Sequence, residues 1–564
     1  MFAYRFPTTG RLVGAGLIAL SLLLSISVPA QSLEQKFDAY CRAASEINRF
    51  HGAVLVAKDG KIIFENGYGW ASRQFDIPNT AETKFLIGSI TKNFTAAAIL
   101  QLEEEGKLRV EDPIAKYITE LPAEIGNKVT IHHLLTHTGG IHSFTDLPDV
   151  MARRTIAMSS DEIIGTFKDL PLDFEPGTQW KYSNSGYYLL GVIIERAGGQ
   201  TYEQYLQEHI LTPAGMANTG YAHTERIRPG MANGYTINPD GELINAVVID
   251  MSLPYSAGAL YSTVGDLYKW DRILYTDQII GEKSRQKMFT AVRDDYGYGW
   301  MITTLYDRPM IMHTGGIDGF SSIIQRFVED DACIVVLTNT DEGVAGRVAG
   351  ALAAILFDKP YDVPVRKQAI ASDVDAWPDY AGVYLIDSGQ YRVVTIEDGK
   401  LFSERTGSGK IEIFPEATDK FFFEHDNSVT LTFVRDGQGR VIEHVIHQQG
   451  EDSRATRLPA EEAATIMAEM FPVEAAVDAA IFADYVGEYE LAPGFILTVR
   501  TRDNRLFAQA TGQGEIEIFS RAKDEYFLKV VDAQISFVRD ESGVVQSLVL
   551  HQGGRDMPAK KVVK

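Results

Sequence analysis

The first part of the chain combines two periodicities of apolar positions. Residues 51–64 form two short runs of β-forming side chains on either side of a Lys-Asp-Gly turn, a pattern that predicts a β-hairpin. Apolar residues then recur at helical spacing over 91–108, 186–197 and 202–209, which predicts three helices, and the apolar run 334–337 predicts a buried strand. Because strands come first and last, the pattern predicts a sheet with helices packed on it and a helical subdomain inserted between its first and last strands.

The chain after residue 365 has a different pattern, in which short β-rich runs alternate with Gly- and Asp-containing turns. This pattern occurs twice, and each copy predicts an antiparallel meander that closes into a small barrel. Two histidines recur in the copies, and since no acidic or thiol side chain recurs beside them at ligand spacing, we interpret them as structural. The matching segments are Tyr380–Tyr384 with Tyr485–Tyr489, Thr406–Phe414 with Thr511–Phe519, Phe433–Asp436 with Phe537–Asp540, and His447 with His551.

The N-terminal residues have the pattern of an export signal. Arg5 and Arg11 precede the apolar stretch 12–28, and small residues at Val28 and Ala30 favour cleavage after Ala30. The apolar stretch is shorter than the roughly 18–20 residues that cross a bilayer comfortably, which favours a cleaved signal peptide over an uncleaved anchor. We therefore expect a periplasmic or secreted protein with no stable membrane span after signal cleavage.

These patterns divide the chain into five segments. They are a signal peptide at 1–30, an α/β (α+β) domain with a helical subdomain at 31–365, a first β-barrel-like repeat domain at 366–458, a linker helix at 459–478 and a second β-barrel-like repeat domain at 479–564.

Composition narrows the function classes. The 564 residues are 45% hydrophobic and 23% charged, which is typical of globular protein, and the formal net charge is −23. Such an acidic chain lacks the basic surface that holds a phosphate backbone, so we expect no nucleic-acid partner. Two cysteines, Cys41 and Cys333, cannot form a disulfide scaffold or a metal cluster. We expect no cofactor, and a monomer or homodimer.

A serine and a lysine three residues apart are the first candidates for chemistry. Ser89 opens a predicted helix after the apolar residues 85–87, and Lys92 lies one turn further along the same face. A buried lysine can lose its proton near neutral pH and activate a serine hydroxyl, while the helix N-terminus offers N–H groups to an oxyanion. The same spacing at Ser284–Lys287 and Ser520–Lys523 lacks this apolar setting.

A second candidate is the pair Tyr182 and Asn184, which follows a turn-rich loop and precedes the helix predicted at 186–197. A phenol held near an ammonium can have its pKa lowered enough to exchange protons with a leaving group, and an amide beside it can bind a substrate carbonyl. A buried tyrosine followed by an Asn turn is the alternative interpretation.

The third candidate is the tetrapeptide His-Thr-Gly-Gly at 313–316, which follows an apolar run and predicts the start of an edge strand, where glycine lets a substrate lie against the backbone. The identical tetrapeptide at 137–140 follows a predicted short capped helix and lacks the strand. His133 and His137 stand one helical turn apart, but no glutamate lies between them and no third ligand follows, so we expect no metal.

Three motifs in this order resemble the serine β-lactamase and penicillin-recognising hydrolase superfamily, specifically its class C-like branch. They are Ser89-x-x-Lys92, Tyr182-x-Asn184 and His313-Thr314-Gly315, with a further signature at 131–141 between the first two. The resemblance covers roughly residues 52–356 and implies a β-lactamase-like catalytic domain that works through a covalent acyl-enzyme.

The resemblance also implies roles for individual residues. Ser89 would attack a carbonyl, and Lys92 and Tyr182 would shuttle its proton. The backbone N–H groups of Ser89 and Gly316 would form the oxyanion hole, and Asn184 would orient the substrate.

One departure from the superfamily pattern bears on the substrate. The third motif usually begins with lysine, whose fixed charge helps to hold a carboxylate, whereas here it begins with His313. The substrate-binding residues implied by the resemblance are Asn184, His313, Thr314, Gly315 and Gly316. Histidine here, with two C-terminal barrels, resembles the D-stereospecific aminopeptidases. A small-molecule or peptide substrate containing D-residues, or a small ester, is therefore expected. The alternatives are a β-lactamase or D,D-carboxypeptidase, and a non-catalytic cell-envelope or penicillin-binding protein.

Overall fold

A computed structural model describes residues 31–562, apart from 48–49, 239–241, 342, 372, 387–388, 407, 424–425, 449–450, 471–473, 493–494, 512, 529–532 and 553–554. The predicted signal peptide and its cleavage site lie outside the described residues. Within the described part of the chain, no helix combines the length and apolar character needed to cross a membrane.

A six-stranded antiparallel sheet is the framework of the first domain. From edge to edge its strands are Met301–Leu305, Arg308–Ile317, Phe320–Phe327, Ala332–Thr338, Gly52–Lys58 and Lys61–Tyr68. Alternate residues of the strand Ala332–Thr338 point to two separate cores: Ile334 and Val336 to one, and Cys333, Val335 and Leu337 to the other. Because helices cover both faces, the run that predicted this strand is continuously apolar rather than alternating.

The helices lie on both sides of this sheet. One core contains the first and last helices, Leu33–Glu46 and Val344–Leu356, and the other contains the inserted helical subdomain. The α-helices of the first domain are Leu33–Glu46, Thr91–Glu104, Ala123–Gly126, Ile131–Leu135, Pro148–Ala152, Ser160–Phe167, Asn184–Gly198, Tyr202–Leu206, Tyr255–Gly258, Val264–Ile273, Glu282–Met288 and Val344–Leu356.

Several short elements complete the domain. They are the 3-10 turns Gly88–Ile90, Ile114–Lys116, Phe144–Asp146 and Val328–Asp330, the π-helical turn Gln207–Leu211, and the strands Trp70–Ser72, Ile77–Pro78, Phe85–Leu86, Gly220–Tyr221, Tyr235–Ile237, Leu243–Asn245 and Leu260–Ser262.

The predicted elements are present, with shifted ends that have local causes. The helix expected over 91–108 ends at Glu104, shortly before Gly106 adopts a left-handed φ of 72°. The helix expected from 186 begins at Asn184, because the Ser183 hydroxyl caps it by accepting the N–H of Gly186. The hairpin turns at Asp59, whose φ is 51°.

Two closed eight-stranded antiparallel barrels follow the first domain, so the predicted fold class is confirmed. The strands of the first barrel are Gly382–Ile386, Tyr391–Glu397, Lys400–Arg405, Ile411–Ala417, Lys420–Phe423, Asp426–Arg435, Val441–Gln448 and Glu451–Arg457. Those of the second are Gly487–Ala492, Phe495–Arg502, Arg505–Ala510, Ile516–Ala522, Glu525–Leu528, Ala533–Arg539, Val545–Gln552 and Arg555–Lys561.

Short helical segments precede and join the barrels. These are Val374–Asp379, Ala460–Met470, Ala479–Ile481 and Phe482–Tyr485. The exact domain boundaries stay a prediction.

The recurring barrel histidines correct one expectation, because an acidic partner does recur with them. His447 Nδ1 lies 2.5 Å from Asp452, and His551 Nδ1 lies 2.7 Å from Asp556 on the neighbouring strand. The other ring nitrogen of His551 lies 3.0 Å from the Ser536 hydroxyl. The sequence spacing concealed this pairing, since the two residues face each other across a hairpin. The two histidine side chains are partly exposed and bridge three strands, which agrees with a structural role.

Candidate active site

Ser89 lies where a strand meets a buried helix. The 3-10 turn Gly88–Ile90 contains it and leads directly into the helix Thr91–Glu104. The preceding strand Phe85–Leu86 pairs with Leu260–Ser262, which fixes the backbone before the turn. Eleven residues of the helix are buried, because it packs among other helices on nearly every side. Ser89 stays partly exposed, in contrast to the buried residues on either side of it.

Lys92 is fully buried and makes three polar contacts. Its Nζ lies 3.0 Å from Ser89 Oγ, 2.9 Å from Asn184 Oδ1 and 2.7 Å from the carbonyl oxygen of Ala257. Burial lowers the pKa of this amine well below its usual value. An uncharged amine has two N–H donors and one lone pair. Since the amide and carbonyl oxygens can only accept, the two N–H groups satisfy them and the lone pair faces the Ser89 hydroxyl.

Asn184 is held from two sides, which determines the direction of its amide. Its Nδ2 donates to Thr145 Oγ1 at 3.2 Å, and its backbone N–H donates to Ser143 Oγ at 3.0 Å. The amide oxygen therefore points to Lys92, so the structure gives Asn184 a role in orienting the amine that sequence reasoning did not foresee.

The Tyr182 hydroxyl interacts with Ser89, and Lys92 Nζ lies 4.9 Å from the centre of the phenol ring. The possibility that a neighbouring ammonium lowers the pKa of this phenol is not realised here. Burial raises the pKa of Tyr182, and the interaction of its hydroxyl with Ser89 opposes this rise only in part. The physical reason is that Lys92 is itself buried, so the amine rather than the phenol changes its charge.

An aromatic cluster supports Tyr182 from behind. The ring of His137 lies 4.2 Å from that of Tyr182 and within 5.0 Å of those of Tyr187 and Tyr296. His137 Nδ1 accepts the backbone N–H of Ser183 at 3.2 Å, so it holds the segment that carries Tyr182 and Asn184. Burial lowers the pKa of His137 well below its usual value, which keeps the ring neutral.

Sequence reasoning considered His137 as a metal ligand and the tetrapeptide 137–140 as a strand motif, and it missed the role of His137 as a support for Tyr182. The available signal was its place in the signature at 131–141. His133, which was considered with it as a metal ligand, instead accepts the backbone N–H of Thr130 at 3.2 Å and closes a helix cap. No group of three or more potential ligands is found among the described residues.

His313 lies in the middle of the strand Arg308–Ile317, which corrects the prediction that it starts an edge strand. The strand Met301–Leu305 pairs only as far as Met301 with Met312, so the segment 313–317 is paired on one side only, with the strand Phe320–Phe327, and forms a free edge of the sheet on the other side. The side chain is buried, and both ring nitrogens have partners: Nε2 lies 2.9 Å from the Tyr296 hydroxyl and Nδ1 lies 2.6 Å from the carbonyl oxygen of Thr314.

These contacts define the electrostatics of His313. Burial, with a smaller contribution from Lys92, lowers its pKa to about 3. The ring is therefore neutral near pH 7, and its nitrogens are already hydrogen-bonded inside the protein. We revise the expectation that His313 contacts substrate: the structure places it behind the site, as a support for Tyr296.

The predicted glycines act through close backbone packing. A β-carbon on Gly315 would stand 2.0 Å from the carbonyl oxygen of Ile87, and one on Gly88 would stand 2.9 Å from the backbone nitrogen of Gly316. The sequence had suggested that glycine at 315 makes room for a substrate. The structure shows instead that the protein's own backbone requires it. Gly316 has open space around its Cα, and its backbone lies beside the turn that carries Ser89.

A cavity of about 170 Å³ opens over Ser89. Of the predicted residues, Ser89, Asn184 and Gly316 line it, whereas Lys92, Tyr182, His313, Thr314 and Gly315 are not among its described lining residues. Its walls are mainly apolar, and Asp318 is the one ionisable side chain among the described lining residues. The apolar residues are Phe144, Met151, Ile249, Leu253, Pro254, Ala257 and Ile317.

Comparison with known proteins identifies the family. The sequence model of the family described as Beta-lactamase matches residues 37–358. The chain belongs to this family. A second model, a domain of unknown function named DUF3471, matches residues 472–561, which contain the second barrel.

The relatives of this β-lactamase-family protein include penicillin-binding proteins. It is 32% identical to penicillin-binding protein 4* of Bacillus subtilis over 460 residues, which cover 76% of this chain and 99% of the relative. A solved penicillin-binding protein homologue from Pyrococcus abyssi, described as octameric, is 26% identical with a TM-score of 0.52 and covers 73% of this chain and 97% of its own.

A D-amino acid amidase from Ochrobactrum anthropi shares the fold, at 22% identity and a TM-score of 0.51 over 58% of this chain and 98% of its own. The resemblance stated from the three motifs is thus confirmed at the level of family and fold.

Proposed function

We propose that this protein is an exported serine hydrolase that acylates Ser89 with an amide or ester substrate. The contacts of the buried Lys92 amine support this most directly. Its two N–H groups donate to the Asn184 amide oxygen and the Ala257 carbonyl oxygen, which can only accept, so its lone pair is left for the Ser89 hydroxyl. This is the arrangement of a base beside a nucleophile, and a pocket that only binds has no physical need for it.

The reaction follows from this arrangement. Lys92 takes the hydroxyl proton as Ser89 Oγ bonds to the substrate carbonyl carbon, and the backbone N–H groups of Ser89 and Gly316 stabilise the oxyanion. As the bond to the leaving group breaks, Tyr182 donates its proton to the departing nitrogen or oxygen and is reprotonated from Lys92. Water then attacks the carbonyl carbon of the ester on Ser89, and the protons move in reverse: the water proton passes to Tyr182, the proton of Tyr182 passes to Lys92, and Lys92 returns a proton to Ser89 Oγ as the acid is released.

The pocket favours substrates without a carboxylate beside the scissile bond. The neutral His313 replaces the cation that this superfamily usually supplies, and the ionisable side chain in the described lining, Asp318, is acidic. Arg154 Nε donates to Asp318 Oδ2 at 2.9 Å, and the other oxygen of this carboxylate can accept a hydrogen bond from an ammonium group in the cavity. We therefore favour D-residue peptides with a free amino end, or small esters, over penicillins and D-Ala-terminated peptides.

The surroundings of the pocket give room for a peptide. A second cavity of about 450 Å³ shares Ile249 and Asp318 with the pocket over Ser89. An acyl group can lie against the apolar walls near Ser89 while further residues extend past Asp318 into the second cavity.

A fluorophosphonate probe tests the nucleophile. We expect wild-type protein to be labelled and Ser89→Ala to lose labelling. The matched control is Ser536→Ala, which removes the hydroxyl 3.0 Å from His551 on the second barrel and should leave labelling unchanged. Labelling that persists in Ser89→Ala would overturn the assignment of the nucleophile, and a wild-type protein that no acylating probe labels would favour the non-catalytic alternative.

The substrate class is tested by comparing p-nitroanilides of D- and L-residues, p-nitrophenyl esters and nitrocefin. Faster turnover of D-residue anilides or esters than of nitrocefin supports the proposal. A β-lactamase predicts the reverse order, and a D,D-carboxypeptidase predicts release of terminal D-Ala from a D-Ala-terminated peptide; the Bacillus subtilis relative is named as a penicillin-binding protein.

Export to the periplasm or the medium is also a proposal, supported by the pattern of residues 1–30. N-terminal sequencing of the mature protein tests it, and a chain that begins at residue 31 is the expected result. Light scattering of the same material tests the expected monomer or homodimer.

A further inference from the structure

The two barrels are built on the same plan, which allows each interior position of one to be compared with its counterpart. Arg392 of the first barrel and Leu497 of the second occupy equivalent positions, because each is paired with a tyrosine of the preceding strand, Tyr384 and Tyr489 respectively. Ser403 and Ala508 occupy one further equivalent position, each opposite a valine of the preceding strand and an isoleucine of the next.

A third equivalent pair is His444 and Leu548, each opposite a phenylalanine on one side and an alanine on the other. Thus three positions with identical strand register carry an arginine, a serine and a histidine in the first barrel, but two leucines and an alanine in the second.

The three polar side chains of the first barrel are poorly satisfied by the protein. Arg392 Nη1 donates to Ser403 Oγ at 2.9 Å, while Arg392 Nε is buried without a hydrogen-bond partner. His444 is 1% exposed, and neither of its ring nitrogens has a partner. Among the described residues no carboxylate pairs with Arg392, although the arginine remains protonated near pH 7, since burial lowers its pKa only to about 10.

The second barrel shows that the architecture does not require these polar groups. Leu497, Ala508 and Leu548 are buried in its core and contribute apolar packing. Replacing such a set with a half-buried guanidinium whose Nε has no partner and a buried imidazole without partners costs folding free energy, because these groups lose hydration and gain little in return. A ligand that supplies the missing acceptors would offset this cost.

We propose that Arg392, Ser403 and His444 form a binding site for a small carboxylate ligand in the first barrel. Because Nη1 of Arg392 is used by Ser403, the Nε and Nη2 edge of the guanidinium is free, and that edge matches the two oxygens of a carboxylate. The imidazole N–H of His444 and the Ser403 hydroxyl add donors beside it. The aromatic rings of Tyr384 and Phe433, which adjoin His444, would contact an apolar group attached to the carboxylate.

This site is independent of the proposed hydrolase chemistry, so it can be tested on a chain whose active site is disabled. Isothermal titration calorimetry of the full mature chain carrying Ser89→Ala, with sodium acetate as the probe, should show one carboxylate bound per chain. Substituting Arg392→Leu, the residue of the second barrel, should weaken this binding roughly ten- to a hundredfold. Arg392→Lys, which keeps the charge and loses the fork, should weaken it by an intermediate factor.

Two controls keep the test decisive. Leu497→Met in the second barrel should leave acetate binding unchanged, and far-UV circular dichroism should show that every variant is folded. The triple variant Arg392→Leu, Ser403→Ala, His444→Leu should be at least as stable as wild type without acetate, and acetate should raise the Tm of wild type but not that of the triple variant.

Other results would overturn the proposal. These are acetate binding that is equal in wild type and Arg392→Leu, phosphate binding as tight as acetate binding, and a crystal structure grown in acetate in which the Arg392 edge contacts ordered water alone.

Discussion

Gly315 and Ile87 are in backbone contact: a β-carbon at Gly315 would stand 2.0 Å from the carbonyl oxygen of Ile87. The Ser322 hydroxyl donates to the same oxygen at 2.8 Å. This contact joins the strand that carries Gly316 to the turn that carries Ser89, so it determines the spacing of the two backbone N–H groups assigned to the oxyanion hole.

We expect Gly315→Ala to destabilise the protein by about 1–3 kcal/mol, because the backbone must move to accommodate the methyl group. The move should also reduce kcat. Gly346→Ala is the matched control, since a β-carbon there meets no atom within 4 Å and the residue lies inside the helix Val344–Leu356. The control should be neutral or stabilising. Urea unfolding and ester turnover check both, and a fully active, stable Gly315→Ala would disprove the contact's importance.

Substituting Lys92→Arg tests whether the amine acts as a base. A guanidinium stays protonated at any accessible pH and cannot take the Ser89 proton, so acylation should fall by at least about a hundredfold. For wild type, activity should rise with pH as Lys92 loses its proton and should level off well below the usual lysine pKa. Stopped-flow acylation across pH measures this. A plateau reached only near the usual lysine pKa would contradict the buried, neutral amine.

His137→Asn tests the support of Tyr182. Asparagine tolerates the left-handed backbone of His137, whose φ is 57°, but removes the ring packed on Tyr182. We expect kcat to fall about tenfold or more with KM little changed, because the proton donor is displaced while the cavity lining is kept. Trp180→Phe, which retains an aromatic ring in the cluster, is the control and should have a smaller effect. A change confined to KM would argue against a positioning role.

Asp318→Asn tests the recognition of an amino group. We expect KM to rise about tenfold for D-residue anilides with a free amine, because the amide carries no charge to attract the ammonium. The N-acetylated form of the same anilide serves as the control substrate, and its kcat/KM should be unaffected. Equal losses for both substrates would show that Asp318 acts only through its ion pair with Arg154.

Acid should destabilise this protein through buried neutral histidines. Burial lowers the pKa of His51 to about 4 and those of His313 and His444 to about 3. In the unfolded chain these groups titrate near 6.5, so below that pH the unfolded state binds more protons and the free energy of unfolding falls until the folded pKa values are reached.

Urea midpoints measured from pH 7.5 down to pH 4 should therefore decrease. His444→Leu, which copies Leu548 of the second barrel, should weaken the pH dependence of the transition that reports on the first barrel. An unchanged slope in this variant would show that His444 is not buried as a neutral group.

The sequence by itself determined the elements and the order of the motifs. Continuous apolar runs, turn residues and a repeated segment suffice to predict a covered sheet and two barrels, because these signals are local and periodic. The proximity of Ser89, the proposed nucleophile, and Lys92 was predictable for the same reason, since one helical turn determines their relation.

The tertiary structure alone decided how the site is charged and supported. Burial makes Lys92 rather than Tyr182 the group with the lowered pKa, and it turns His313 away from the cavity onto Tyr296. Likewise, the pairing of His551 with Asp556 depends on which strands are neighbours. Desolvation and contacts between distant segments depend on the complete packing of the chain, which no local pattern encodes.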